Sequence, residues 1–143
     1  MKLLVFLLSL AMGHSAQAME LVKLECSGCQ YEKKSAIGST KQGILRDGLA
    51  NALFFCTING QFVELWTVGD EKAFSKSKSI PQGTVVARPT TVSVASGSKY
   101  KFYNHPSCKN QLVPLDFYRT QPHPVCPICG KGELTVESLR FLD

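Results

Sequence analysis

The chain has 143 residues, 44% of them hydrophobic, and its 16 Lys and Arg against 11 Asp and Glu give a formal net charge of +5. This length is enough for one ordinary domain or two very small ones, and it excludes several independent cores. The basic residues are dispersed, with only Lys33-Lys34 and the group Lys72, Lys76 and Lys78 loosely clustered, so the charge does not favour nucleic-acid binding.

Residues 1–18 have the pattern of a secretory signal peptide. Lys2 precedes an apolar run from Leu3 to Met12, and Ala16-Gln17-Ala18 forms a small-residue cleavage site. The apolar run is too short to span a bilayer permanently, so an uncleaved membrane anchor is the weaker alternative. We therefore predict an exported mature chain, residues 19–143, that lies in the periplasm or outside the cell without stable membrane insertion.

The first half of the mature chain predicts two hairpins. Alternating residues at 21–25 and 31–35 indicate strands on either side of Cys26-Ser27-Gly28-Cys29. Three glycines punctuate residues 36–50, which we interpret as a loop with one helical turn. The apolar runs 52–58 and 61–68 flank Asn59-Gly60, a dipeptide typical of a type I′ hairpin turn.

The second half predicts further short strands. Residues 69–82 are rich in Lys and Ser and indicate an exposed loop. Strands are expected at 84–88, 90–95, 99–103, 112–118 with an interruption at Pro114, and 133–141. A short helical end at residues 139–142 is the alternative for the last of them. The fold class is therefore mainly β, a single domain of short antiparallel hairpins around a small β core. Six aromatic residues are expected in the core or on strand faces: Phe54, Phe62, Trp66, Phe102, Tyr103 and Phe117.

Two C-x-x-C turns are the strongest chemical signal. Cys26 and Cys29 form the first, and Cys126 and Cys129 form the last. Such a turn points two sulfurs at one place, and Zn²⁺ in structural sites accepts four such thiolates. Gly130 after the last turn allows the left-handed conformation that closes it, whereas Gln30 stands at the corresponding place in the first turn. A local or long-range disulfide is the alternative for each pair in an exported chain.

Two incomplete versions of the same turn lie between them. Cys56-Thr57-Ile58-Asn59 ends in Asn, and His105-Pro106-Ser107-Cys108 begins with His. We call these complete and incomplete turns tetrads, and number them first (26–29), second (56–59), third (105–108) and fourth (126–129).

The tetrads can pair in two ways. Pairing of neighbours would place Cys56 with the first tetrad and join the third to the fourth. Nested pairing joins the first to the fourth and leaves one intact four-cysteine site, and we prefer it because both imperfect tetrads then belong to one site. Cys56 and Cys108 are then free to form a disulfide, or to join His105 in a second metal site with an open or Asn-filled fourth position.

The sequence offers little support for catalysis. A zinc hydrolase needs a general acid or base near the metal, and motifs of the H-E-x-x-H or H-x-E kind are missing. His123, between two prolines, is expected on an exposed loop. Neither C-x-x-C motif stands before a helix as in thioredoxin-like proteins, which makes disulfide exchange the weaker interpretation.

The tetrads and their flanks resemble a known family. The segment Cys26-Ser27-Gly28-Cys29-Gln30-Tyr31-Glu32-Lys33-Lys34, then Gly38, Phe55-Cys56 and the terminal Cys126-Pro127-Ile128-Cys129-Gly130 are similar to small bacterial zinc-ribbon proteins of the rubredoxin-like kind. Those open with C-x-x-C-G-Y-E-K and carry further C-x-x-C turns. The resemblance implies a zinc-ribbon-like fold with the cysteine pairs as metal ligands and zinc, more than iron, as cofactor. The chain departs from the pattern at Gln30, Asn59 and His105, and residues 69–100 lie outside the resemblance.

We therefore expect an exported zinc-binding protein whose four-cysteine site is structural. It would serve as a binding or structural module for a protein partner that the sequence does not identify, without nucleic acid and without catalysis. A periplasmic thiol–disulfide redox protein is the alternative, and a zinc carrier or sensor of the cell envelope is the third. A reactive cysteine of low pKa would favour the redox protein, and an exchangeable metal ion would favour the zinc carrier or sensor.

Overall fold

The structure is a computed structural model that describes residues 19–81, 83–93, 97, 99–109 and 112–142. It confirms the mainly β class, with two antiparallel sheets. The predicted signal peptide, residues 1–18, lies outside the described residues. The elements are β1 (Met19–Cys26), β2 (Glu32–Ile37), α1 (Lys41–Asp47), β3 (Leu49–Cys56), β4 (Gln61–Val68), α2 (Glu71–Lys76), β5 (Arg88–Ser93), β6 (Lys99–Asn104), β7 (Leu112–Pro114), α3 (Leu115–Arg119) and β8 (Leu134–Leu142). None of the helices in this described part is long and apolar enough to cross a membrane.

The first sheet places the last strand of the chain beside the first. Its order is β2-β1-β8, and β1 is antiparallel to both neighbours. Met19 faces Leu142 at one end of the β1–β8 pair, and Cys26 faces Leu134 at the other. Successive side chains of a strand point to opposite faces, which puts the buried residues Val22, Leu24 and Cys26 on a single face.

The second sheet has the order β4-β3-β7-β6-β5. β3 and β4 form the predicted hairpin, but its turn is longer than the predicted type I′ turn. Cys56 pairs with Gln61, so the turn takes in all of residues 57–60, and only Gly60 among them has a positive φ, at 67°. The Asn59-Gly60 prediction was therefore wrong in turn type, because the second tetrad folds as one unit that closes with a bond from Gly60 N–H to Cys56 O of 2.9 Å.

β3 contributes to two hydrophobic clusters, one on each of its faces. Leu53 and Phe55 pack with β1, β8 and α3 in a cluster that joins the two sheets. Phe54 and Cys56 point the other way, into a smaller cluster beneath β7. A strand that is buried on both faces carries few polar residues, which explains the continuous apolar run in the second half of β3.

Two segments that were predicted to be loops contain short helices. The loop predicted at 36–50 contains helix α1 of seven residues, which begins with Thr40 Oγ1 accepting from Gly43 N and ends at Gly48. The loop predicted at 69–82 contains α2, capped by the Asp70 carboxylate on Ala73 N. A side-chain oxygen that accepts from a backbone N–H is a typical helix start. These caps favour helices in segments whose glycine or polar content had indicated loops.

Other boundaries are also corrected. The strand predicted at 84–88 is wrong except for its last residue, which begins β5. The strand predicted at 112–118 is only β7, because the chain turns into α3 directly after Pro114. Residues 139–142 are strand, so the helical alternative was wrong.

The aromatic residues divide into buried and exposed groups. Phe54 and Phe62 are buried as predicted, and the Tyr103 ring lies 4.8 Å from that of Phe54 between centroids. Trp66 is on a strand face but is 50% exposed, and Phe117 lies on α3 and is 52% exposed, so neither belongs to the core. The side chain of Phe102 is outside the described part of the chain.

An ion pair ties α3 to the first sheet. Both guanidinium nitrogens of Arg119 donate to the Glu20 carboxylate, one of them at 3.2 Å, and both side chains are largely buried. Burial alone raises the pKa of Glu20, but bonds from Arg119 and Ser138 outweigh it and hold that pKa below the ordinary 4.5.

We expect Glu20→Gln to lower the free energy of unfolding by about 1–2 kcal/mol at pH 7, since a largely buried charged hydrogen bond is lost. A lowered folded-state pKa stabilises above the unfolded-state pKa, and this contribution disappears as the pH falls through the folded-state value. Urea unfolding of both proteins between pH 7 and pH 3 measures the difference. The control is Glu71→Gln, because Glu71 forms an exposed ion pair with Arg88 at 3.2 Å. An equal loss of unfolding free energy in both variants would contradict a special contribution from the buried pair.

Candidate metal centre

Four cysteine sulfurs from the two ends of the chain converge on one point. The Sγ atoms of Cys26, Cys29, Cys126 and Cys129 all lie within 4.8 Å of one another, and those of Cys26 and Cys129 are 3.5 Å apart. Four sulfurs around Zn²⁺ at about 2.3 Å stand about 3.8 Å from each other in a tetrahedron. The cluster therefore has the dimensions of a four-thiolate metal site.

Backbone hydrogen bonds lock the first and fourth tetrads together. Ser27 N donates to Glu133 O at 3.1 Å, and Glu133 N donates back to Ser27 Oγ at 3.0 Å. Within the fourth tetrad's hairpin, Cys126 N donates to Gly132 O at 2.8 Å. The sulfur positions are thus set by two turns that are bonded to each other across 106 residues of sequence.

Two glycines permit this approach. A Cβ added to Gly132 would lie 2.3 Å from Gly28 N and 2.9 Å from Cys26 Sγ. Backbone atoms cannot swing away as a flexible side chain can, so a side chain here would push the two tetrads apart. This role of Gly132 cannot be read from the sequence, because the contact is with a residue far away in the chain.

Backbone N–H groups point at the sulfurs. Gly28 N donates to Cys26 Sγ at 3.3 Å. Bonds from the Gly132 and Lys131 N–H groups lower the pKa of Cys129 to about 6. The hydrogen bond with Cys26 is the main reason that the pKa of Cys29 is raised to about 12. The opposite directions of these two pKa shifts show that the closely spaced thiols disfavour ionising together, and a bound metal ion would remove this conflict.

The site is closed on one side by the core. Cys26 is 6% exposed and Cys126 is fully buried, whereas Cys29 and Cys129 are partly exposed. Tyr31, Tyr118 and Leu134 belong to the same hydrophobic cluster. The cluster therefore lies against an apolar wall on its inner side, with Cys29 and Cys129 on the side that reaches solvent.

All four tetrads end in the same way. The residue after each has a positive φ: Gln30 at 57°, Gly60 at 67°, Lys109 at 44° and Gly130 at 68°. Among the described residues, Gln30 and Lys109 are the non-glycine residues with positive φ, a conformation uncommon for residues with a side chain. The first tetrad thus closes like the fourth although it lacks the glycine that the sequence interpretation looked for.

The second and third tetrads also meet, but through a disulfide. Cys56 and Cys108 are bonded, with their Cα atoms 6.0 Å apart. The structure therefore brings the tetrads together in the nested arrangement, first with fourth and second with third, and not as neighbours. His105 accepts from Ser107 N at 3.1 Å through Nδ1, and with both sulfurs bonded to each other the second metal site is not formed. His123 is exposed as predicted, 3.3 Å from Glu133 Oε2.

Comparisons with known proteins add no further identification. No protein-family model matches the chain, and neither a curated protein nor a solved structure is significantly similar to it. The likeness to rubredoxin-like zinc-ribbon proteins therefore rests on the tetrads and their flanks. What the geometry supports by itself is a four-cysteine cluster close enough to hold a metal ion.

We expect Gly132→Ala to weaken metal binding roughly tenfold or more, a loss typical of disturbed neighbours of metal ligands, because the new methyl group forces Gly28 and Cys26 away. Competition for zinc with a chromophoric chelator measures the change. The matched control is Gly130→Asn two residues away, where an added Cβ meets nothing within 4 Å and Asn tolerates the left-handed backbone. Equal affinities for the two variants would show that the close approach is unimportant.

Proposed function

We propose that this chain is an exported zinc protein whose four-cysteine site is structural, and that it acts as a binding or structural module. The observation that carries the proposal is the convergence of four sulfurs from tetrads at opposite ends of the mature chain. A metal ion there would clamp β1 to the approach of β8 at the end where Cys26 faces Leu134. Zinc is favoured over hard cations because thiolates are soft ligands.

The state of the six cysteines supports both zinc and export. Cys56 and Cys108 are disulfide-bonded while the other four are free thiols. Structural disulfides persist in oxidising compartments, yet in such a compartment thiols 3.5 Å apart would also oxidise unless something protected them. An oxidising compartment accounts for the disulfide, and a bound metal ion accounts for the four free thiols, since it holds their sulfurs as ligands.

Exposed apolar side chains support the role as a binding module. Trp66 is half exposed on β4. It borders a concavity of about 310 Å³ together with Met19, Leu49 and Arg46. Exposed Trp beside an Arg is typical of protein contact surfaces. The proposed partner is a protein whose identity is left open.

The metal assignment predicts about one zinc per chain in mature protein purified without added zinc or reductant, with two of the six cysteines oxidised. Zinc a thousandfold above its dissociation constant adds about 4 kcal/mol to the free energy of unfolding, so a chelator should lower the melting temperature markedly. Elemental analysis, thiol titration and thermal unfolding measure these quantities.

Two variants separate the cysteine groups. Cys126→Ser should lose the zinc, whereas the double variant Cys56→Ser/Cys108→Ser should keep it, because only the first group supplies ligands. Protein without metal and without free thiols would instead indicate a disulfide framework, and turnover of a disulfide substrate by such protein would favour the redox alternative. Zinc that exchanges within seconds would favour the carrier.

Export is tested by expressing residues 1–143 in a bacterial host. We expect the periplasmic fraction to contain a chain that begins at Met19, as mass spectrometry would show, because cleavage follows the small residue Ala18. Ala16→Arg/Ala18→Arg should block the cleavage and serves as the control. Recovery of the intact chain in the cytoplasm would argue against a signal peptide.

A further inference from the structure

The chain contains the same arrangement of three strands and two tetrads twice. β1 ends in the first tetrad and lies between β2, which follows that tetrad, and β8, which follows the fourth. β3 ends in the second tetrad and lies between β4, which follows that tetrad, and β7, which follows the third. We call the first group of three strands the thiol unit and the second the disulfide unit.

The register extends the correspondence to single residues. Cys26 faces Leu134 in the thiol unit, five residues after Cys129. Cys56 faces Leu112 in the disulfide unit, four residues after Cys108. Cys26 and Cys129 have the sulfurs that lie 3.5 Å apart, and the equivalent pair, Cys56 and Cys108, is the one that is bonded.

The two replaced ligand positions keep the hydrogen bonds of a metal site. Asn59 stands in the place of Cys29, and its Oδ1 accepts from the N–H two residues later, Gln61, at 3.1 Å. In the thiol unit, Cys29 accepts from Tyr31, also two residues later.

The same holds for the other replacement. His105 stands in the place of Cys126, and its Nδ1 accepts from the N–H of Ser107, as Cys26 accepts from Gly28 at 3.3 Å. His105 is only partly exposed, and Nδ1 also lies 2.6 Å from Ser107 Oγ. If Nε2 binds a metal, Nδ1 takes the proton, gives up the bond from the Ser107 N–H and donates to the Ser107 hydroxyl, which is the kind of support that metal-bound histidines usually have.

We propose that reduction of the Cys56–Cys108 disulfide converts the disulfide unit into a second zinc site. Its ligands are the two sulfurs and one ring nitrogen of His105, with Asn59 or a water molecule at the fourth position. The two sulfurs are buried, each 1% exposed, and their Cα atoms are already 6.0 Å apart. The carbonyl oxygen of Asn59 is a weaker zinc ligand than a thiolate, so this site binds less tightly than the first.

The chemistry requires a reductant of the dithiol or phosphine class. A dithiol gives two electrons and two protons to the disulfide, which becomes two thiols while the dithiol closes to its own disulfide. Both thiols then release their protons as Zn²⁺ binds. Cysteines locked in a disulfide cannot ligate, so the second site exists only under reducing conditions.

The test uses the mature protein with zinc in its first site and adds cobalt(II), whose colour reports thiolate coordination. After anaerobic reduction with a phosphine, we expect one additional metal ion per chain, and none without reductant. His105→Ala should lower the affinity for this second metal ion roughly tenfold or more. His123→Ala, at the exposed histidine beside Glu133, should leave that affinity unchanged. Asn59→Cys/His105→Cys should bind it more tightly, as a complete four-cysteine site.

Equal metal counts before and after reduction would overturn the proposal. So would equal binding by His105→Ala and wild type, or loss of the folded near-ultraviolet spectrum on reduction in the presence of metal. Failure of the first site is a separate result, because it shows as absence of zinc in unreduced protein. The second site is measured separately, as the increase in bound metal ions per chain after reduction.

Discussion

The structure depends on bringing two turns that are about a hundred residues apart in the sequence to one point. The first and fourth tetrads meet through four sulfurs and through the bonds between Ser27 and Glu133. After β2 the chain leaves the first sheet, forms the second sheet and returns to the first sheet with β8. β8 pairs with the edge of β1 that β2 leaves open. The contact between the two tetrads and the pairing of β1 with β8 therefore hold the same two segments together.

The central strand β3 links the two cysteine groups. Leu53 and Phe55 belong to the cluster that contains Cys126, and Phe54 belongs to the cluster that contains the disulfide. Interiors are packed as tightly as crystals of small molecules, so a displacement of β3 is felt in both clusters. The two sulfur groups are therefore chemically separate but share one strand as a wall.

The local chemistry of the site was predictable from sequence, whereas its supports were not. A C-x-x-C turn is formed by adjacent residues, so its four positions can be read directly, and the nested arrangement followed from where Asn59 and His105 stand. The left-handed residues Gln30 and Lys109 could not be anticipated, because the bonds of the turn override the usual preference for glycine. The close contact of Gly28 with Gly132 joins distant segments and leaves no local pattern. Helix α2 was hidden by its polar composition, although Asp70 was a readable cap.

The pairing of Met19 with Leu142 has a consequence for the order of synthesis and folding. The hairpin of β1 and β2 can form as soon as those residues are made, but the other edge of β1 stays unpaired until β8 has been synthesised. An unpaired strand edge readily recruits other chains, and contacts between distant residues form slowly. The first sheet is therefore completed only after all the strands of the second sheet have been synthesised.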